Sequence, residues 1–204
     1  MELYIIRHGE TVWNKENRLQ GRADIALNDN GREMAIKTGI GLKNIRFDAI
    51  YASPLKRAYE TADLICKDRN IEIIKDERLI EISFGKYEGK TYEELEEQGI
   101  NFMDFFKNPD KFIPAMDGEG LGELCSRAKD FLDFIVKKHG NTDERIMIVA
   151  HGAMNKAIML NVKNISLKDF WSGGLQKNCN AIIVKYENTK FSIIEENRLF
   201  YNEI

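Results

Sequence analysis

Short apolar runs separated by helix-length stretches constrain the fold of this chain more than any other feature. Residues 2–7 (ELYIIR), 48–52 (DAIYA), 71–74 (IEII) and 145–150 (RIMIVA) are strand-sized and rich in β-formers. Between them lie helix signals. Asn28 is an N-cap for a stretch of helix formers over 31–43, and Ser53 followed by Pro54 starts a helix running through 55–68. Thr91 and Glu94 form a capping box ahead of a short acidic helix. Leu124, Ala128, Phe131, Leu132 and Ile135 recur at helical spacing within 119–138. That helix closes on Lys137, Lys138 and His139, with Gly140 as its C-cap. Residues 153–161 read as a further helix, and 180–186 with 191–196 as a hairpin turning at Asn188-Thr189. Strands alternating with helices predict a three-layer α/β/α fold, its mostly parallel sheet flanked by helices. The expected organisation is a single domain over 1–204, with a small helical cap insertion at about 85–120. Within it, 99–118 reads as irregular.

Composition narrows the function classes. A chain of 204 residues with 43% hydrophobic content can bury a full core without disulfides or metals. Its net charge of −3 argues against nucleic acid as a partner. No apolar run reaches the ~18 residues of a membrane span, and the N-terminus does not read as a signal peptide. Cys66, Cys125 and Cys179 fit neither a disulfide framework nor a metal site, which points to a reducing cytoplasm. A homodimer is expected only on base rates. Charge is uneven: residues 1–60 carry ten Lys/Arg against eight Asp/Glu, whereas 81–133 carry six against thirteen.

The three histidines, His8, His139 and His151, are each followed by glycine. His139 closes a helix and reads as structural. His8 and His151 instead follow apolar strands, and ligands of α/β sheets bind beyond the carboxyl ends of strands, where Ser53 also falls. Arg7 beside His8 disfavours an imidazolium and so favours the nucleophilic neutral ring. Arg57, near the start of its helix, adds a second guanidinium. Two guanidiniums and two imidazoles suit a phosphoryl dianion, because arginine forks match phosphate oxygens. Glu81, flanked by apolar residues, is a candidate proton donor if buried. No metal site is expected, since neither candidate histidine has a second one nearby.

These segments together resemble the histidine phosphatase superfamily, the phosphoglycerate mutase-like fold. The matching residues are Arg7-His8-Gly9-Glu10-Thr11, Trp13-Asn14, Arg18-Leu19-Gln20-Gly21, Ser53-Pro54 with Arg57, Glu81 with Phe84-Gly85, and Val149-Ala150-His151-Gly152. The resemblance implies a phosphohistidine formed on His8, with Arg7, Arg57 and His151 holding the phosphoryl oxygens and Glu81 moving the proton. It also implies that Asn14, Gln20, Gly21 and Gly152 line the substrate pocket, with no cofactor and a small phosphorylated metabolite as partner. Two departures stand out. Gly118-Glu119-Gly120 replaces the family's frequent Gly-Glu-Ser, and Ala26 replaces a common proline.

Within that family the chain resembles the phosphatase branch, including α-ribazole phosphatases and broad-specificity phosphomonoesterases. Mutases carry extra cations, among them adjacent arginines, whereas residues 85–120 offer only Lys86, Lys90, Lys107 and Lys111. The alternatives are a cofactor-dependent phosphoglycerate mutase and a non-catalytic phosphoanion-binding module. The Phe-rich insertion (Phe102, Phe105, Phe106, Phe112) either packs as core or roofs the pocket.

Overall fold

Alternation along the strands divides their side chains between two cores. The computed structural model describes residues 1–201, and its strands are β1 (Glu2–Arg7), β2 (Ala49–Ala52), β3 (Ile73–Lys75), β4 (Arg145–Ala150), β5 (Ala181–Glu187) and β6 (Lys190–Arg198). They form one sheet in the order β3-β2-β4-β1-β5-β6. The first four of that order run parallel, and β5 and β6 add antiparallel, so the sheet is mixed with a parallel centre. The β5–β6 hairpin turns at Asn188 and Thr189, both left-handed, which matches the twist of paired strands.

The helices are α1 (Val12–Lys15), α2 (Asp29–Gly41), α3 (Lys56–Ile65), α4 (Tyr92–Glu97), α5 (Asp104–Lys107), α6 (Leu121–His139) and α7 (Gly152–Lys163). Leu3, Ile5, Ile146 and Ile148 face a core shared with α6 and α7, whereas Tyr4, Ile6, Met147 and Val149 face one shared with α2 and α3. Period-two alternation on strands buried on both faces thus produces the three layers. His139 stays structural: its Nδ1–H donates to Glu144 (2.6 Å) and its Nε2 bonds the Tyr51 hydroxyl (3.0 Å). Among the described residues no helix is long and apolar enough to cross a membrane.

Local expectations need two corrections. The third helix starts at Lys56 instead of Ser53, because its cap comes from far away: the Lys56 amide donates to Asp24 Oδ1 at 2.7 Å. Ser53 Oγ still accepts from the Leu55 amide at 3.4 Å and makes a shorter hydrogen bond, 2.8 Å, with His151. Residues 99–118 are less irregular than expected, holding α5 and a 3-10 turn at Pro109–Lys111. Gly120 caps α6 without a side chain, its amide donating to Glu123, so the expected hydroxyl has no substitute there.

The loop after β1 lies backbone to backbone against α2. A Cβ at Gly9 would stand 2.5 Å from the Gly31 carbonyl oxygen, and one at Gly31 would stand 2.1 Å from that of Glu10. Gly31→Ala must therefore push two backbones apart. We expect a loss of about 2 kcal/mol, read as a lower urea midpoint at unchanged m-value.

Candidate active site

Strand register assembles the cluster. Arg7 pairs with Ala150 across the parallel β1–β4 ladder, and the His8 amide donates to the Ala150 carbonyl at 3.0 Å. On the other side of β4, the Ser53 amide donates to Val149 at 3.0 Å. His8, His151 and Ser53 consequently emerge together at the carboxyl ends of three adjacent interior strands. The two imidazole centroids are 5.2 Å apart, tilted by 60°.

Each side chain is held by a specific partner. His8 Nδ1 lies 2.6 Å from the Gly9 carbonyl, which can only accept; Nδ1 therefore carries the proton and Nε2 keeps its lone pair. Burial, then the charges of Arg57 and Arg7, hold the His8 imidazole well below the usual 6.5. His151 is pushed down likewise, by burial first and Arg57 next, and its Nε2 shares a 2.8 Å hydrogen bond with Ser53 Oγ.

Carbonyls hold the two guanidiniums in place. Arg7 donates to Gln176 (2.6 Å), and Arg57 donates to Ala23 and Gly21 (both 2.7 Å). Burial lowers Arg57 to about 10, opposed by Glu81. Buried Nε atoms of both arginines and Nδ1 of His151 lack a protein partner. Such donors in a cationic, desolvated cluster are suited to the oxygens of a dianion.

Glu81, whose burial the local sequence left open, is buried, and its carboxylate accepts amide bonds from Ile82, Ala153 and Met154. Two of those donors form the N-terminus of α7, so the carboxylate caps that helix as well as facing the cavity. Arg127 supports it from behind by donating to the carbonyls of Arg78 and Ile80. Asn14 is oriented by a capping box: Oδ1 accepts from Thr11, which leaves Nδ2 free for the cavity.

A cavity of about 290 Å³ opens over this cluster. Arg7, His8, Asn14, Gln20, Gly21, Arg57, Glu81 and Gly152 all line it, whereas His151 sits behind His8, fully buried. Gly21 has φ +52°, and a Cβ there would meet the Glu88 carboxylate at 2.2 Å, so the turn that anchors Arg57 favours glycine. Sequence reasoning missed Tyr92, Trp171 and Asn178 on the walls. No local motif marks them; they arrive from the segment over the cavity and the loop after α7. Of the insertion's phenylalanines, Phe105 and Phe106 reach the cavity, while Phe102 and Phe112 pack behind them. Gly120 does not reach it. Among the described residues there is no group of three or more His, Cys, Asp or Glu placed to hold a metal.

Fold and site together define an α/β protein built around a buried cationic cleft. The chain belongs to the histidine phosphatase superfamily (branch 1), which matches residues 3–198. It is similar to phosphoserine phosphatase 1 of Hydrogenobacter thermophilus, 32% identical over 97% of this chain and 92% of that one. Among solved structures it is similar to YhfR of Bacillus stearothermophilus, 35% identical with a TM-score of 0.89 over 96% of both chains. The α-ribazole phosphatase of Shigella flexneri shares its fold, with a TM-score of 0.88 at 23% identity over both whole chains. The chain is accordingly a phosphatase, a phosphoric monoester hydrolase.

A histidine whose folded pKa is depressed binds fewer protons than in the unfolded chain as pH falls below 6.5. Stability should therefore decline on acidification from pH 7 to 5. His8→Asn should make the fall in urea midpoint shallower; an unchanged slope would contradict the assignment.

Proposed function

We propose that this phosphatase is a metal-independent phosphomonoesterase for a small phosphorylated metabolite, working through a phosphohistidine on His8. The observation that carries the reading is the hydrogen bond from Nδ1 to Gly9, which leaves Nε2 as a buried, unprotonated nucleophile. In the first step Nε2 attacks phosphorus in line, and the bond from phosphorus to the leaving oxygen breaks. Glu81, entering this step in its protonated form, gives its proton to the departing alkoxide and is left as the carboxylate. In the second step water attacks phosphorus, Glu81 takes a proton from it, and the His8–phosphorus bond breaks to release phosphate. Arg7, Arg57 and Asn14 donate to the phosphoryl oxygens, His151 supports His8 from behind while bonded to Ser53, and the cationic groups supply the charge stabilisation a metal provides elsewhere.

Glu81 can cycle a proton while capping α7, because Oε2 accepts a single amide bond and keeps a lone pair. Water is the acceptor instead of a second phosphorylated substrate. Among the described residues, Arg18 is the one further Lys or Arg lining the cavity, and Glu16 (2.8 Å) and Glu94 (3.3 Å) pair with it. A mutase would need free cations there. The reading includes a reducing cytoplasm, where Cys66, Cys125 and Cys179 remain free thiols. Burial pushes these thiols up to about 11, 11 and 12, which removes them as rival nucleophiles.

His8→Ala should lower kcat for p-nitrophenyl phosphate by at least about a thousandfold and abolish an acid-labile phosphoprotein, with wild-type turnover unaffected by EDTA. Full activity in that variant would overturn the reading. Arg57→Ala should lower kcat by about a hundredfold, measured at saturating substrate.

A further inference from the structure

Glu81 has to present a carboxyl oxygen to the leaving group, yet residues 80–84 around it belong to no helix or strand. Leu79 and Ile82 are fully buried and fix the depth of this segment. Apolar contacts are non-directional, however, and the backbone groups here have no ladder to pair with. Arg127 reaches the segment from α6 and supplies the pairing. Its Nη1 donates to the carbonyls of Arg78 (2.9 Å) and Ile80 (2.5 Å), and its Nη2 to that of Glu81 (3.4 Å). The rest of the fork holds Glu119 in a bidentate pair, Nε at 3.0 Å and Nη2 at 2.8 Å. All five N–H groups of the guanidinium are thereby used. Arg127 does not line the cavity and has no donor left for a substrate oxygen.

Glu119 grips the other side of Glu81. Its Oε2 accepts from the Ser83 amide (3.3 Å), and its own amide donates to the Ser83 carbonyl (2.8 Å). One ion pair therefore holds the chain both before and after Glu81. Oε2 also pairs with Arg22 at 3.2 Å, next to Gly21, whose carbonyl anchors Arg57. The side chains of Arg127 and Glu119 are only 18% and 11% exposed, so solvent screens their attraction little. Helix packing alone would be served as well by an apolar residue at 127, since Leu124, Ala128 and Phe131 already bury that side of α6. A saturated fork aimed at the carbonyls flanking Glu81 points instead to a demand for exact backbone placement.

We propose that Arg127, locked to Glu119, is the positioning residue for proton transfer by Glu81, the pair setting how the carboxyl group faces the leaving oxygen. This rests on the phosphomonoesterase reading above. The proton passes from the Glu81 carboxyl to the leaving oxygen as the bond from that oxygen to phosphorus breaks. Arg127 exchanges no proton and touches no substrate. A carboxyl group displaced by about 1 Å loses the transfer to an extent on the order of a hundredfold in rate.

The leaving-group dependence of kcat/KM separates positioning from a general structural role, because a loss of folded enzyme lowers every substrate alike. Ethyl phosphate releases an alkoxide that must be protonated, whereas p-nitrophenyl phosphate releases a stable phenolate that need not be. Arg127→Met should lower kcat/KM for ethyl phosphate by about a hundredfold and for p-nitrophenyl phosphate by less than about threefold. Arg127→Lys, which keeps the charge but loses the fork, should show the same selectivity at about tenfold, and it guards against a methionine variant that fails to fold. Adding Arg127→Met to Glu81→Gln should cost ethyl phosphate less than about threefold more, since Arg127 acts through Glu81. Equal losses for the two esters in both Arg127 variants, or full additivity with Glu81→Gln, would overturn the positioning role. Failure of the reaction reading looks different: Glu81→Gln would itself lower both esters alike, or His8→Ala would retain hydrolysis of ethyl phosphate.

Discussion

The parallel ladder between β1 and β4 is the constraint on which the rest of the structure depends. A shift of one residue would turn alternate side chains to the opposite core and separate His8 from His151. In the observed register, Arg7 pairs with Ala150 and β2 places Ser53 beside the end of β4. Two buried cores enforce that register, since Leu3, Ile5, Ile146 and Ile148 must face α6 and α7 while their neighbours face α2 and α3. Packing across the sheet is thus the force that aligns the imidazoles.

Desolvated cations set the electrostatics. Arg57 is buried and Arg7 half-buried, both on carbonyl partners, which orient the forks without neutralising them. Burial first, and then their charge, lowers His8 and His151 well below the usual 6.5. Glu81, tied to the start of α7, provides the nearby negative charge that opposes the lowering of both arginines.

Much of this was legible in residues close together in the chain. The runs ending at His8 and His151 announced strands, Thr91 and Glu94 announced α4, and Arg7-His8-Gly9 with Gln20-Gly21 announced the cleft. The helix after Ser53 was misplaced because its cap is Asp24, which no local pattern around Ser53 reveals. Ser53 reads alone as a cap and in the fold as the partner of His151. Tyr92 and Trp171 were invisible for a similar reason: an aromatic residue on a short helix or loop carries no sign of which surface it will meet.

The sequence by itself determined the alternation of strands and helices, the two strand ends carrying His-Gly, and the family to which the chain belongs. Those properties live in periodicity and in short motifs, which are local. Only the tertiary structure decided which nitrogen of His8 is free, what anchors each arginine, how Glu81 is shared with α7, and which aromatic side chains line the cavity. Several of these depend on contacts between residues roughly 70 to 170 positions apart, and those contacts exist only once packing has set the strand register.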